Sequence, residues 1–303
     1  MAVGRISTYA VFQNTLRDLG NRQIDLFNLQ TQISSGSKSQ DFAGIASQSE
    51  QFLDLDTKIG KADLFIQNNN LASTRLELTS SVLDNVIEAA TTLKNLIITR
   101  RSGTQINQAT LNEQLTDQWQ TFTSQLNIQS EGRYLFSGAS TDVKPVNDTN
   151  YPVLIDPNTA DDSYYNGSKQ DITLRVQENV QITYNVRADN PGIQKIFAGL
   201  AEARRGNDIN DDGLLANAYD FIDQGLQEII TLQASVNANK VAIDDINVQH
   251  GSFKLYWQGV KEEIGNTDLV AASTQVAINE GILQAAFQAF ARINSLKLAD
   301  FLR

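Results

Sequence analysis

The residues best suited to chemistry in this 303-residue sequence form a short acidic segment, in which Asp208, Asn210 and Asp212 alternate before a glycine. Alternating oxygen ligands are typical of the first half of a calcium-binding loop, because every second side chain faces the same ion. The twelfth position of such a loop needs a bidentate glutamate, and Tyr219 stands there. The segment also fits an acidic helix start, in which Asn210 or Asp211 caps the first turn and negative charge suits the helix dipole. The residues favour this second interpretation.

Side chains for imidazole or thiolate chemistry are scarce. The sequence has no cysteine and a single histidine, His250, which excludes disulfides, thiolate metal sites and cysteine nucleophiles. His250 falls in a helical apolar stripe between Ile246 and Phe253, and this position predicts a structural role. Tyr134 and Phe136 could stack on a sugar, but their place after a helix favours packing. The sequence therefore predicts neither an enzyme nor a protein with a metal or cofactor.

The charge and hydrophobicity of the chain argue against two classes of partner, nucleic acids and the interior of a membrane. The chain has 35 acidic and 24 basic residues, a formal net charge of -11 and a pI of about 4.6, so a nucleic-acid backbone would be repelled. Nowhere do about 18 apolar residues follow one another, which argues against a membrane span. The first residues do not read as a cleaved secretory signal. With 41% hydrophobic residues, the chain can form ordinary cores.

Both ends of the sequence carry apolar stripes at helical spacing. The N-terminal stripe, in a helix expected over about residues 5–33, alternates steps of three and four, as in a coiled-coil seam. The C-terminal stripe covers more than one face. Helices this apolar need a partner surface, so we expect them to pair with each other and with neighbouring subunits. The residues predicted to form this assembly interface are Phe12, Leu16, Leu19, Leu26, Ile33, Leu283, Phe287, Phe290, Ile293 and Leu296.

The interior of the chain predicts three more long helical stretches. The second helix should span about 50 residues and end near Arg101, and the third, about residues 105–130, should lie antiparallel on it as a helical hairpin. The fourth should start after the acidic segment, follow a regular seam to Ile264 and meet the C-terminal helix at a joint near Gly259 and Gly265.

Between about residues 140 and 190 the apolar period changes from that of a helix to that of a strand. Alternation over residues 172–176 and 180–186 predicts a β-hairpin with its loop at 177–179. The fold class predicted is mainly α: a rod of long coiled-coil-like helices with paired terminal helices and a small central β-rich domain. The predicted domains are residues 1–42 with 262–303, the helical body 43–140 with 190–261, and an outward β-rich domain 141–189.

Several segments resemble the flagellin superfamily of bacterial flagellar axial proteins, above all the hook-associated proteins of the hook-filament junction. One is the N-terminal helix that ends in the turn Ser34-Ser35-Gly36, and another is the terminal helix around Phe287 and Phe290. After the turn, where the family usually has a proline and two aspartates, residues 37–45 retain only Asp41. A third segment resembles the motif that closes the helical hairpin in the junction protein: Gly132, Arg133, Tyr134, Leu135, Phe136, Ser137 and Gly138.

The resemblance implies a structural subunit that couples hook to filament through coiled-coil assembly. It implies a ring of identical subunits, another hook-associated protein on the hook side, flagellin on the filament side and a flagellar export chaperone. It also implies export through the flagellar type III apparatus to an extracellular flagellum, without a cleaved signal. Two alternatives stay open at this point: a flagellin, which would be the filament subunit, and a surface ligand-binding module carried on a helical stalk.

Overall fold

The computed structural model describes residues 8–103, 107–147 and 161–301, without the side chains of residues 8–12, 42–43 and 293–301. It divides into two compact units. The first unit contains the chain up to Lys61 and again from Lys254 onward. The second unit is Ala62–Phe253. The division of the sequence into three domains stays a prediction.

The described residues form six α-helices, where the sequence predicted four long stretches. Three lie where they were expected, with shifted ends: α1 spans Thr8–Ser35, α2 spans Ser49–Arg101 and α3 spans Gln108–Leu126. A helix not anticipated as a long element, α4, spans Pro191–Ile209. The joint predicted near Gly259 and Gly265 lies at Gly265, where α5 (Asp212–Gly265) ends before α6 (Leu269–Phe301) begins.

Polar residues explain where these helices begin and end. Asn107 accepts a hydrogen bond from Thr110 N and caps α3, while Asn190 accepts one from Gly192 N and caps α4 just before a proline. Asn210 adopts a left-handed conformation (φ 56°) and ends α4. Asp211 Oδ1 then accepts from the backbone N–H groups at the start of α5. Each cap satisfies backbone groups that a helix end leaves unpaired.

The core of the second unit lies between α2, α3, α4 and α5. Phe197 of α4 sits at its centre, with its ring 4.8 Å from that of Trp119 and 4.5 Å from that of Tyr164. Side chains of α2, α3 and α5 at seam positions fill the remaining volume, and those fully removed from solvent include Leu83, Leu93, Ile97, Leu111, Leu115, Leu126, Ile222, Ile229 and Ile243. Trp119 is therefore a packing residue.

Helix pairing in the second unit is antiparallel. Asn85 Nδ2 of α2 donates to Gln125 Oε1 of α3 at 3.2 Å, far from the turn that joins the two helices, so α2 and α3 form the predicted hairpin. Gln233 Nε2 of α5 donates to Asp84 Oδ1 at 2.6 Å, and Lys94 pairs with Asp223. Residue numbers rise on one helix as they fall on the other, which fixes the direction of α5 against α2.

Two short antiparallel hairpins complete the second unit. The first pairs Gln129–Ser130 (β1) with Arg133–Tyr134 (β2), and the second pairs Thr173–Gln177 (β3) with Val180–Thr183 (β4). The register of β3 shifts between Arg175 and Gln177, which is a β-bulge. The predicted hairpin over these residues is confirmed with shorter strands, and it lies along the flank of α2 and α5.

A charged contact between α2 and α5 gives a pH-dependent prediction. Partial burial of Asp244 opposes its ionisation, but hydrogen bonds from Lys240 and Ser73 hold the pKa of this carboxyl below its ordinary value. A lowered folded-state pKa stabilises the protein above the unfolded pKa of about 4, and this stabilisation disappears as the pH falls through the folded value. We expect Asp244→Asn to lower the free energy of unfolding at pH 7, with the deficit shrinking below about pH 4.

Urea unfolding at a series of pH values measures this deficit. The exposed neighbour Asp245→Asn is the control, because it removes a carboxylate from the same turn without removing the bonds to Ser73 and Lys240. An Asp244→Asn deficit that stayed constant from pH 7 to pH 3 would contradict the assignment.

Candidate assembly surface and supporting sites

The terminal helices form an antiparallel pair in the first unit. Helices α1 and α6 pack against each other. Thr267 N donates to Gly36 O at 2.9 Å, and Ser37 forms a β-bridge with Asn266, so the end of α1 lies beside the start of α6. Asp268 Oδ1 caps α6 by accepting from two backbone N–H groups, each at 3.0 Å. The predicted pairing of the chain ends is therefore confirmed.

The predicted interface residues divide between the inside and the outside of this pair. Leu19 and Leu283 are buried, at 7% exposure each, and Leu26, Ile33 and Phe290 are half-buried. Leu16 and Phe287 are exposed, at 43% and 48%. The side chains of Phe12, Ile293 and Leu296 lie outside the described part of the structure. Pairing within one chain thus covers only a fraction of the predicted seam.

Exposed apolar side chains continue around both helices. On α1, Ile24 and Phe27 are 60% and 69% exposed, and with Leu16 they form a second stripe, of which the coiled-coil seam included only Leu16. On α6, Ile278 and Ile282 are exposed beside Phe287. The sequence does contain a signal for the second stripe, because Ile24 and Phe27 are three residues apart and so lie on one face of a helix. The prediction of a single coiled-coil seam for α1 does not include them.

Helix α6 also has few charges. Its 33 residues include four charged ones, Glu280, Arg292, Lys297 and Asp300. A solvent-facing helix normally carries polar residues around most of its surface. An apolar helix with this composition is typical of one that is covered on several sides.

The segment after α1 is fixed by backbone bonds to the end of α5. Lys38 N donates to Gly265 O at 2.8 Å, and Lys38 Nζ donates to Glu263 O at 2.7 Å. Asp41 Oδ1 accepts from Ser39 Oγ at 3.0 Å, and a short 3₁₀ helix follows at Phe42–Ile45. The one aspartate retained from the family pattern therefore stabilises the turn of residues 37–45 from within.

The segment from Gly132 to Gly138 joins the end of α3 to the β region. Glu131 and Gly132, at φ 52° and 76°, form the two-residue turn between β1 and β2. Phe136 is fully buried and its carbonyl accepts from Ala188 N at 2.9 Å, while Ser137 Oγ donates to Val143 O at 2.6 Å. Tyr134 is half-buried and Leu135 N donates to Ile128 O. Because Phe136 has no exposed face, this pair does not form a sugar-stacking platform.

Gly138 marks the tightest point of this segment. Its φ is +63°, and a Cβ atom there would lie 2.0 Å from Ser168 O and 3.0 Å from Gln170 O. Ala139 N donates to Gln170 O at 3.1 Å, and Ser168 N donates to Ser137 O at 2.9 Å. The backbone of residues 137–139 therefore lies directly against residues 168–170, with no room for a side chain.

The hairpin of β3 and β4 is held on the helices by a shared carbonyl. At the bulge, Val176 O accepts from Asn69 Nδ2 of α2 at 3.2 Å and from His250 Nε2 of α5 at 3.0 Å. The His250 ring is buried and stacks on Phe65, with ring centroids 5.2 Å apart and planes 3° from parallel. His250 thus has the structural position that its place in the seam predicted.

This contact gives a second prediction. Asn69 is fully buried and also donates to Asn247 Oδ1 at 2.9 Å, so Asn69→Ala removes two hydrogen bonds of a buried side chain and should cost about 1–3 kcal/mol. Hydrogen exchange should also increase in β3 and β4. The exposed neighbour Asn70→Ala, which loses only one bond from Asn247, is the matched control. Equal losses of stability in the two variants would contradict the role of Asn69.

The acidic segment before α5 is occupied by contacts other than a metal ion. Asn210 Oδ1 accepts from Arg100, Asp212 Oδ1 accepts from Arg101, and Asp208 Oδ1 accepts from Asn112 of α3. Together with the cap at the start of α5, these bonds confirm the helix-start interpretation. Over residues 8–103, 107–147 and 161–301, no three His, Cys, Asp or Glu residues cluster as a metal site. Within the same ranges, none of the helices has the length and apolarity needed to cross a lipid bilayer.

Comparison with known proteins supplies a family for the N-terminal part of the chain. Residues 6–141 match the family described as the bacterial flagellin N-terminal helical region. A search among curated proteins found no match to the chain.

Solved structures match a larger part of the chain at low sequence identity. A protein from Vibrio parahaemolyticus assigned as a flagellar hook-associated protein is 19% identical, with a TM-score of 0.60 over 75% of this chain and 100% of that one. Flagellar hook-associated protein 3 from Legionella pneumophila is 12% identical, with a TM-score of 0.53 over 69% of this chain and 98% of that one. FlgL from Xanthomonas campestris is 14% identical, with a TM-score of 0.53 over 68% and 98%.

These structural matches establish the fold, and the family match covers the N-terminal helix, its turn at Ser34–Gly36 and the Gly132–Gly138 segment, but not the C-terminal helix. The predicted mainly helical fold with paired ends is confirmed. Residues 6–141 thus match the bacterial flagellin N-terminal helical region, and the chain has the fold of the solved flagellar hook-associated proteins.

Proposed function

We propose that this chain is a structural subunit of the bacterial flagellum, placed at the junction between hook and filament, and that it assembles through its paired terminal helices. The observation that carries the proposal is that α1 and α6 pair and still expose apolar side chains on their outer faces. Ile24, Phe27, Ile282 and Phe287 are the clearest of these, at 37% to 69% exposure.

Hydrophobic burial supplies the energy for assembly. Full burial of a large apolar side chain contributes about 1.5–3 kcal/mol, so burial of the exposed parts of the four residues named above favours association of neighbouring terminal pairs. In a closed ring each pair has a neighbour on both sides, so the apolar faces of both helices can be covered. Phe12, Ile293 and Leu296, whose side chains are not described, stay in the proposed interface because of their spacing in the sequence.

The proposed partners follow from the proposed position of this protein between the hook and the filament. A ring of identical subunits contacts another hook-associated protein on the hook side and flagellin on the filament side, and a flagellar export chaperone holds the apolar ends before export. The protein is exported without cleavage of a signal and is extracellular in the flagellum. The helical body forms the wall of the assembly and the β-rich region of residues 141–189 faces outward.

Electron microscopy of cells that lack this protein tests the proposal. We expect hooks without filaments, with flagellin shed into the medium, and restoration of filaments when the wild-type chain is supplied. If the mutant instead kept its junctions and lost the bulk flagellin band, the chain would be a filament subunit. If filaments were normal, the proposed role would be wrong.

A further inference from the structure

We propose that Asn166 is a site of spontaneous deamidation, in which the backbone nitrogen of Gly167 attacks the side-chain amide. The sequence contains a single Asn-Gly pair, and it is this one. Asn166 is exposed, and its side-chain amide has no hydrogen-bond partner among the described residues. Gly167 N likewise has no acceptor in that part of the chain. Neither reacting group is therefore held in a hydrogen bond among the described residues, although the backbone on both sides of them is anchored.

The chemistry needs only water and a base. Once Gly167 N loses its proton, it forms a bond to Cγ of Asn166, and the bond from Cγ to Nδ2 breaks with release of ammonia. Water then opens the cyclic imide at one of its two carbonyls. Opening on one side gives aspartate at position 166, and opening on the other gives isoaspartate, in which the main chain runs through the former side chain. A following glycine favours the first step because it has no Cβ to obstruct the attack.

The position of Asn166 makes the isoaspartate product disruptive. Asn166 N donates to Pro145 O at 2.9 Å, Ser168 N donates to Ser137 O at 2.9 Å, and Tyr165 Oη donates to Ser168 O at 2.8 Å. These anchors lie on both sides of the peptide that would gain an extra backbone carbon. A lengthened chain cannot keep all of them, so the contact between residues 137–139 and 168–170 should loosen. The modification would thus weaken the Gly132–Gly138 segment as the protein ages.

Peptide mapping by mass spectrometry tests the proposal on the purified full-length chain. After incubation at mildly alkaline pH, we expect the mass of the peptide with Asn166 to increase by the difference between a carboxylic acid and an amide. We also expect this peptide to become a substrate for isoaspartyl methyltransferase. Asn179 is the internal control, because it is exposed in the β3–β4 turn but precedes the β-branched Val180. Conversion at Asn166 should be several-fold faster than at Asn179. Equal rates, or no conversion at Asn166 while Asn179 converts, would overturn the proposal.

A second measurement distinguishes the effect of deamidation at Asn166 from other changes that occur as the protein ages. The variant Asn166→Gln retains an amide but places it one carbon further from the attacking nitrogen, so its peptide should stay unmodified over the same incubation. Hydrogen exchange at residues 137–139 should rise with age in the wild-type protein and stay constant in Asn166→Gln. A rise of equal size in both proteins would show that loosening does not depend on this asparagine. Complete absence of conversion in folded and unfolded wild-type chains would refute the site altogether.

Discussion

Removal of residues 269–303 is expected to abolish incorporation of this protein into the flagellum and leave the second unit folded. Residues Ala62–Phe253 have their own core of α2, α3, α4 and α5, and no side chain of α6 that the structure describes belongs to it. Without α6, however, the buried face of α1, which includes Leu19, loses its intramolecular partner. Cells that carry only the truncated protein should be non-motile, which swarming assays and electron microscopy measure. Normal flagella in these cells would contradict the role given to the terminal pair.

The same truncation makes a prediction about the free subunit. Helix α1 has 28 residues and α6 has 33, and an isolated amphipathic helix without a packed face is marginally stable in water. Circular dichroism of the truncated protein should therefore show a loss of helix larger than the share of α6, because α1 also unfolds. Thermal unfolding of the second unit should be unchanged. A loss limited to α6 would mean that α1 is stable without its partner.

Point variants distinguish loss of the apolar surface from loss of the helix. Ile282→Asp combined with Phe287→Asp places two charges on the exposed face of α6, where burial in an assembly would be costly. The matched control is Gln284→Asp combined with Gln288→Asp, which adds the same charge at exposed polar positions of the same helix. We expect the first pair to prevent assembly and the second to reduce it less. Equal defects would show that charge on α6, and not the position of the stripe, decides the outcome.

The helices were predictable because their signal is local. The heptad spacing of Leu83, Ala90 and Ile97 in α2, or of Ile222, Ile229 and Ile243 in α5, follows directly from burial of one helical face, and these residues are indeed fully buried. Helix α4 was missed as a long element because its apolar positions, such as Ile193, Ile196 and Phe197, are interrupted by polar residues and by six alanines and glycines. Its burial depends on α3 and α5, which are distant in sequence.

The supporting contacts could not be predicted because they are bonds between segments far apart in the chain. The donation from Asn69 and His250 to Val176 O needs a β-bulge that turns one carbonyl toward the helices. Nothing in the spacing of residues 173–183 indicates where that bulge lies. The second apolar stripe of α1 was visible, but only exposure in the folded pair shows that Ile24 and Phe27 lack a partner within the chain.

Replacement of Gly138 by alanine is expected to destabilise the second unit strongly. The backbone there has a φ of +63°, which costs a residue with a Cβ about 1–2 kcal/mol, and the new atom would meet Ser168 O at 2.0 Å. Relief of that overlap requires residues 137–139 to separate from 168–170, which breaks the hydrogen bonds of Ser168 and Ala139. The combined loss should be about 3–5 kcal/mol, or roughly 10 °C in melting temperature for a unit of this size.

Gly132 provides the matched control within the same motif. Its φ of +76° is as unfavourable for alanine as that of Gly138, but no atom lies within 4 Å of the position that a Cβ would take. Gly132→Ala should therefore cost only the backbone term, about 1–2 kcal/mol. The difference between the two variants, measured by urea unfolding, isolates the steric contact with Ser168 from the conformational preference of glycine. Only Gly138 lies against residues 168–170. Equal losses of unfolding free energy in Gly132→Ala and Gly138→Ala would therefore show that this close contact does not contribute to stability.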